Sequence, residues 1–272
     1  MDNRNVFIAI ALSMSVLLFW AAFFEQPKSI DKNISQKKVE DNNKNTITPN
    51  INETLEIKTI TREESLTKNT KRIKIENSSI VGSLSLKGGL LDDVSFKNHK
   101  QNLENKKDVN FLNPAETENG FYIETGWTSI GNKIKIPTKE SVWSVKGNNI
   151  LSNSSPLVLQ WNNGEGIIFQ KKIELDEKYL FKISQQVRNN SNSSIDLYPY
   201  AQMTRNKIPD DIQNFYIQHE GFIGVFDDEL KEDDYDDIKE KKIVRESNEG
   251  WLGITDKYWM TAFVPEKGKN FK

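Results

Sequence analysis

Residues 167–205 read "IIFQKKIELDEKYLFKISQQVRNNSNSSIDLYPYAQMTR", and the parsing of this stretch decides the fold. Apolar and polar side chains alternate with a period of two, which fits an extended chain whose successive residues face opposite ways. "LDEKY" and "NNSNSS" interrupt the alternation with turn-forming residues, leaving three strands of seven or more residues.

The same period runs outward in both directions. "RIKIE", "SLSLK", "GFYIE", "SVWSV" and "LVLQW" are short alternating or apolar runs, separated by "NSS", "KGG", "GNN" and "NNGEG". No window between residues 71 and 226 carries a sustained 3.6-residue stripe. The pattern predicts a mainly β body over residues 71–272, built as an antiparallel two-sheet sandwich larger than an immunoglobulin domain.

Composition bounds the function. The 272 residues hold 37 Lys plus Arg against 39 Asp plus Glu, a formal charge of -2, so the whole-chain basic excess expected of a nucleic-acid binder is missing. No nucleic-acid partner is expected. With no cysteine, disulfide frameworks, thiol nucleophiles and thiolate metal sites are excluded by counting.

The N-terminal "VFIAIALSMSVLLFWAAFF", Val6–Phe24, has neither a charge nor a proline. As a helix its 19 residues reach roughly 28 Å, close to the hydrocarbon thickness of a bilayer. The run exceeds the apolar core of a secretory signal, and Trp20, Phe23 and Phe24 stand where signal cleavage needs small residues. Residues 1–25 are therefore expected to be an uncleaved transmembrane anchor. Lysine counting leaves its orientation open, with Arg4 before the span and Lys28, Lys32, Lys37 and Lys38 after it, because acidic residues are interspersed and long polar domains cross regardless of charge. Residues 26–70 are rich in Asn, Lys, Ser and Thr and carry no aromatic, a composition that predicts a disordered tether.

Chemistry is hard to find. No phosphate loop, nucleophile elbow, zinc-helix pair or dinucleotide fingerprint is present. His99 and His219 are isolated in sequence; His219 adjoins Glu220, and the pair could serve as acid and base in a sugar-modifying sandwich, although a surface or strand-edge histidine is the plainer reading. "DDELKEDDYDD", Asp227–Asp237, lacks the central glycine and terminal glutamate of a calcium hand and reads as a solvated acidic loop. Trp127, Trp143 and Trp161 read as core or sheet packing, with an aromatic ligand cleft as the alternative. The sequons at Asn33, Asn52, Asn77, Asn153, Asn189 and Asn192 follow from an Asn-rich composition. No catalytic, cofactor-binding or metal-ligating residue is assigned, and no cofactor is expected.

Near the end, "EGWLGITDKYWMTAFVP", residues 249–265, reads as two strands joined by a tight "DK" turn. The segment Gly250–Pro265 resembles the YidC membrane protein insertases of Gram-negative bacteria. So do the opening "MDNRNVFIAIALSMSVLLFW", with its Met-Asp, Arg-Asn and apolar run ending in Trp20, and "LSLKGGLLDDV" with its Gly88-Gly89 turn. Anchor, tether and β body follow that family's order over the whole chain. The resemblance implies a cytoplasmic N-terminus, one inner-membrane helix and a periplasmic β-supersandwich. It implies an insertase and chaperone for nascent membrane proteins, working in the lipid bilayer alone or with the Sec translocon and its accessory subunits, and not an enzyme. It also implies further sheet and five membrane helices beyond this chain, so that the last strands expose an edge and the chain is a fragment. The rival readings are a membrane-tethered carbohydrate-binding or carbohydrate-modifying sandwich and a plain periplasmic scaffold.

Overall fold

The computed structural model describes residues 12–16, 59–68, 71–104, 106–129, 134–210, 212 and 219–272. Residues 12–16 are helical. The rest of the expected anchor Val6–Phe24 lies outside the described residues, and among the described residues no helix is long and apolar enough to cross a membrane.

A short helix, Arg62–Lys68, precedes the strands β1 (Arg72–Glu76), β2 (Ile80–Ser85), β3 (Leu90–Lys100), β4 (Asp108–Leu112), β5 (Phe121–Ser129), β6 (Ser144–Lys146), β7 (Ile150–Leu151) and β8 (Leu157–Asn162). There follow β9 (Ile167–Leu175), β10 (Phe181–Asn189), β11 (Leu197–Arg205), β12 (Gly221–Phe226), β13 (Glu229–Asp234), a helix Tyr235–Glu240, β14 (Gly250–Asp256) and β15 (Trp259–Phe263). They build a seven-stranded sheet in the order β11-β5-β3-β2-β1-β7 with β4 beside β3, and two four-stranded sheets, β10-β9-β8-β6 and β13-β12-β14-β15. Pairing is antiparallel except between β1 and β7.

The alternation in residues 167–189 becomes a hairpin. β9 and β10 pair from Ile167↔Asn189 to Leu175↔Phe181. Asp176 fixes the turn, its Oδ1 accepting the N–H groups of Lys178 and Leu180 at 2.8 and 2.9 Å. The third strand behaves differently: β11 crosses to the seven-stranded sheet and pairs with β5 from Leu197↔Ser129 to Arg205↔Phe121. The polar "NNSNSS" loop is too long to impose a hairpin register, and β11 finds its partners elsewhere, with the Tyr200 hydroxyl donating to Glu124 on β5 at 2.5 Å.

The core lies where the seven-stranded sheet faces β10-β9-β8-β6. Ile75, Leu84, Leu157, Leu159 and Phe169 are fully buried there. Phe169 sits 5.1 Å from Trp127 and 5.8 Å from Trp161 between ring centroids, so an inward position of β9 anchors an aromatic cluster. Trp127 and Trp143 are buried and stacked at 6.4 Å. Gly89, at φ +63°, lets the chain pass over this cluster, since a Cβ there would stand 3.1 Å from Trp143 Nε1.

Three details differ from expectation. The last 54 residues, 219–272, form their own sheet in place of extending the sandwich. Its inner face meets the core through Ile254, and Trp259 reaches Phe96 at 4.6 Å. The turn between the final strands is Lys257–Tyr258, one residue later than the "DK" reading. Within residues 26–70, read as tether, an ordered helix stands at Arg62–Lys68. Thr61 caps it by accepting the Glu64 N–H at 3.1 Å, and Arg62 docks it on the sheet.

Candidate functional site

The histidine and carboxylate candidates named from the sequence, His99, His219 and Glu220, are not brought together. His219 precedes β12, its Nε2 2.9 Å from the Phe222 carbonyl oxygen and its Nδ1 3.3 Å from Asp234. Glu220 turns to a different partner, accepting the Lys257 N–H at 3.1 Å. The adjacent pair is thus engaged in separate structural bonds. His99, at the end of β3, packs edge-on against Trp259 at 4.8 Å.

The acidic run Asp227–Asp237 is a hairpin strand followed by a helix, where a solvated loop was expected. Asp227 and Asp228 occupy the turn at φ +49° and +66°, a conformation in which short carboxamide and carboxylate residues are tolerated best. Asp227 accepts hydrogen bonds from the Ser247 hydroxyl at 2.7 Å and the Asn248 N–H at 3.2 Å, which hold its carboxyl below the ordinary range. The Arg245 guanidinium does the same for Asp233 through two hydrogen bonds. These carboxylates are spoken for by neighbours, and among the described residues no three His, Cys, Asp or Glu side chains are grouped to hold a metal ion.

Trp127 and Trp143 lie in the core, and Trp161 packs against it. Asn77, one of the sequons, is a buried corner brace: its side-chain amide donates to the carbonyls of Asp176 and Lys178 and accepts from the N–H groups of Ser79 and Ile80.

A polar array on the seven-stranded sheet escaped sequence reasoning. β2 and β3 pair Ser83 with Asp93 and Leu84 with Leu91, leaving Asp92 as the extra residue of a β-bulge. The bulge buries Asp92 and Asp93 together, whereas strict alternation would separate them. Arg72 pairs with Asp92 and Arg62 with Asp93. Arg62 also donates to the Leu112 carbonyl and to Asn113 Oδ1, both at 2.7 Å. Burial raises the Asp92 carboxyl and lowers the Arg62 guanidinium, each against the pull of its ion-pair partner. A cleft of about 120 Å³ opens beside Asp92, bordered by Glu116, Tyr122 and Lys139. It is of side-chain size, and Glu116 already accepts the Ser65 hydroxyl at 3.1 Å.

The features that reach solvent are surfaces. The β14–β15 turn presents Tyr258, 74 % exposed and held at φ +79°. Tyr179 and Leu180 in the β9–β10 turn and Leu103 beyond β3 are exposed as well. Such geometry suits contact with another body better than turnover of a small molecule.

Comparison with known proteins supplies the family. The YidC periplasmic domain family matches residues 72–272, which is nearly all of the β body. The chain belongs to the YidC family. The membrane protein insertase YidC of Pelagibacter ubique (strain HTCC1062) is 42% identical over 273 residues, covering 100% of this chain and 48% of that protein. YidC of Rickettsia rickettsii (strain Iowa) is 37% identical over 100% of this chain and 48% of its own length, and YidC of Jannaschia sp. (strain CCS1) 32% identical over 99% and 46%. The chain thus spans about half the length of the curated YidC relatives it matches. The β14–β15 segment "GWLGITDKYWMTAFVP", one of the three stretches that carried the resemblance, lies inside the matched region.

Proposed function

We propose that this chain is the membrane-anchored periplasmic portion of an insertase that assists integral inner-membrane proteins to enter the bilayer and fold, alone or beside the Sec translocon. The observation that supports this reading most is the match, over all of this chain and about half of each relative, to proteins named membrane protein insertase, at 42% and 37% identity. In this reading the N-terminus is cytoplasmic, Val6–Phe24 crosses the inner membrane once, and the β body stands in the periplasm. The β body acts as an interaction module, toward nascent membrane proteins and Sec accessory subunits, and performs no covalent chemistry. The braced carboxylates and the separated His219 and Glu220 fit a binding role better than acid–base catalysis.

Because the chain has no cysteine, single thiols report its topology cleanly. Cysteines introduced as Asn3→Cys and Ser154→Cys, labelled in intact cells opened only at the outer membrane with an impermeant maleimide, should react at 154 and not at 3. Photo-crosslinking from the exposed turns to a nascent multispan protein, and not to a cytosolic one, is the accompanying functional expectation. Labelling at residue 3, or no crosslink to membrane clients, would remove the reading.

A further inference from the structure

We infer that one end of the β body docks on the surface of an anionic phospholipid bilayer. The inference rests on the anchored, periplasmic placement proposed above and adds a lipid contact made by the β domain itself.

Three separate pieces of chain meet at this end. Phe96, near the end of β3, is the hub: Tyr179 from the β9–β10 turn lies 5.4 Å away, Trp259 at the start of β15 4.6 Å away, and His99 6.0 Å away. Around that hub Tyr179, Leu180 and Tyr258 present large apolar area to solvent, and Leu103 on the β3–β4 connection is fully exposed. Tyrosine and tryptophan at a protein's rim, beside an exposed aliphatic tip, are the side chains that settle at the headgroup level of a bilayer.

Lysines rim the same end. Lys97 and Lys100 neutralise Glu76 and Asp108. Lys106, Lys178 and Lys257 have no carboxylate partner among the described residues, and Lys257 lies 5.5 Å over the Tyr258 ring. With Lys107 the end carries six lysines against the five carboxylates of Glu76, Glu104, Asp108, Asp176 and Glu177, so the local balance is positive by one charge in a chain whose total is -2. A positive rim around exposed aromatics complements anionic headgroups, and a protein partner chosen by charge alone would not require the aromatic tip.

The backbone provides an independent indication. Tyr258 holds the second position of a two-residue turn at φ +79°, where glycine or asparagine is unstrained and a bulky residue is not. The strain keeps an aromatic ring 74 % exposed at the tip of a hairpin. Strain retained at a surface tip, with its neighbour Lys257 over the ring among the described residues, is of the kind kept for a functional contact.

The test uses the complete chain reconstituted in protein-free vesicles, with spin labels at Leu103→Cys, Tyr258→Cys and, at the opposite end of the sandwich, Glu165→Cys. In phosphatidylglycerol-containing vesicles, labels at 103 and 258 should become several-fold more accessible to oxygen than to a water-soluble nickel chelate, while the label at 165 stays nickel-accessible. Lys178→Gln and Lys257→Gln should each weaken the contact roughly fivefold, and Tyr258→Gly, which fits the turn without strain, should reduce protection at 103. Equal nickel accessibility at all three sites, in vesicles that carry the chain on flotation, overturns the inference and leaves the anchor standing. A chain that does not float with any vesicle overturns both. Protection seen only in native membranes replaces lipid with a protein partner and overturns the inference too.

Discussion

Arg205, the last residue of β11, forms an ion pair with Asp256, the last residue of β14, and so ties the seven-stranded sheet to the C-terminal sheet. The carboxylate is shared: the Tyr235 hydroxyl donates to Asp256 Oδ1 at 2.7 Å, while the Arg205 guanidinium lies 4.1 Å over the Phe121 ring. Burial and this carboxylate push the Tyr235 phenol above its ordinary range. Asp256→Ala leaves a half-buried guanidinium and a phenol without their acceptor. It should destabilise the fold by about 3 kcal/mol, with Asp256→Asn about half as harmful. Urea unfolding of the variants checks this; a change below about 0.5 kcal/mol would mean that the two sheets are joined by apolar packing alone.

Lys171 stands at an inward position of β9, 1 % exposed, donating to the Thr125 carbonyl and lying 4.6 Å over the Trp143 ring. Burial pulls its ammonium down from 10.5 to about 8, against the attraction of Glu124. Between those two values the unfolded chain binds the proton more tightly than the folded one, so stability should rise with pH from about 8 toward 10. Below pH 8 the buried charge carries a standing cost of about 3 kcal/mol. Lys171→Met should therefore gain about 2 kcal/mol at pH 7 and lose the rise. Urea midpoints at pH 7 and pH 9.5, below the ordinary tyrosine range, decide the matter. A wild-type protein equally stable at both would contradict the burial of a charged lysine.

Tyr258 at φ +79° is strained by about 1 kcal/mol. Tyr258→Gly removes the strain and should raise the midpoint of thermal unfolding by roughly 2–4 °C. A lower midpoint would show that the ring makes stabilising contacts that its exposure does not suggest.

Arg62 carries the short N-terminal helix onto the sheet through Asp93, Leu112 and Asn113. Arg62→Ala strands the buried Asp93 carboxylate and should cost about 3 kcal/mol. Hydrogen exchange should show the Arg62–Lys68 amides losing protection while the β9–β10 hairpin keeps its own. Uniform protection across both would place the helix outside this bracing.

The β9–β10 hairpin was legible because alternation and the Asp176 turn are local signals. The placement of β11 was not, since its pairing with β5 joins residues 68 to 84 apart in sequence and "NNSNSS" encodes no register. Trp127 and Trp143 read correctly as core, whereas Asp92 and Asp93 could not be assigned because a bulge suspends the two-residue period that sequence reading relies on. The helix at Arg62 did leave a trace: "TREE", Thr61–Glu64, is a capping-box spelling inside otherwise polar text. The separation of His219 from Glu220 depends on strand direction and on Lys257, nearly 40 residues away, so adjacency in sequence misleads there.

The proposed role is membership of a machine for membrane-protein insertion. Depleting the gene product and following a newly synthesised multispan inner-membrane protein by protease protection tests it most directly. Accumulation of uninserted, protease-sensitive precursor while soluble exported proteins mature normally is the expected result; unchanged integration after depletion would contradict it.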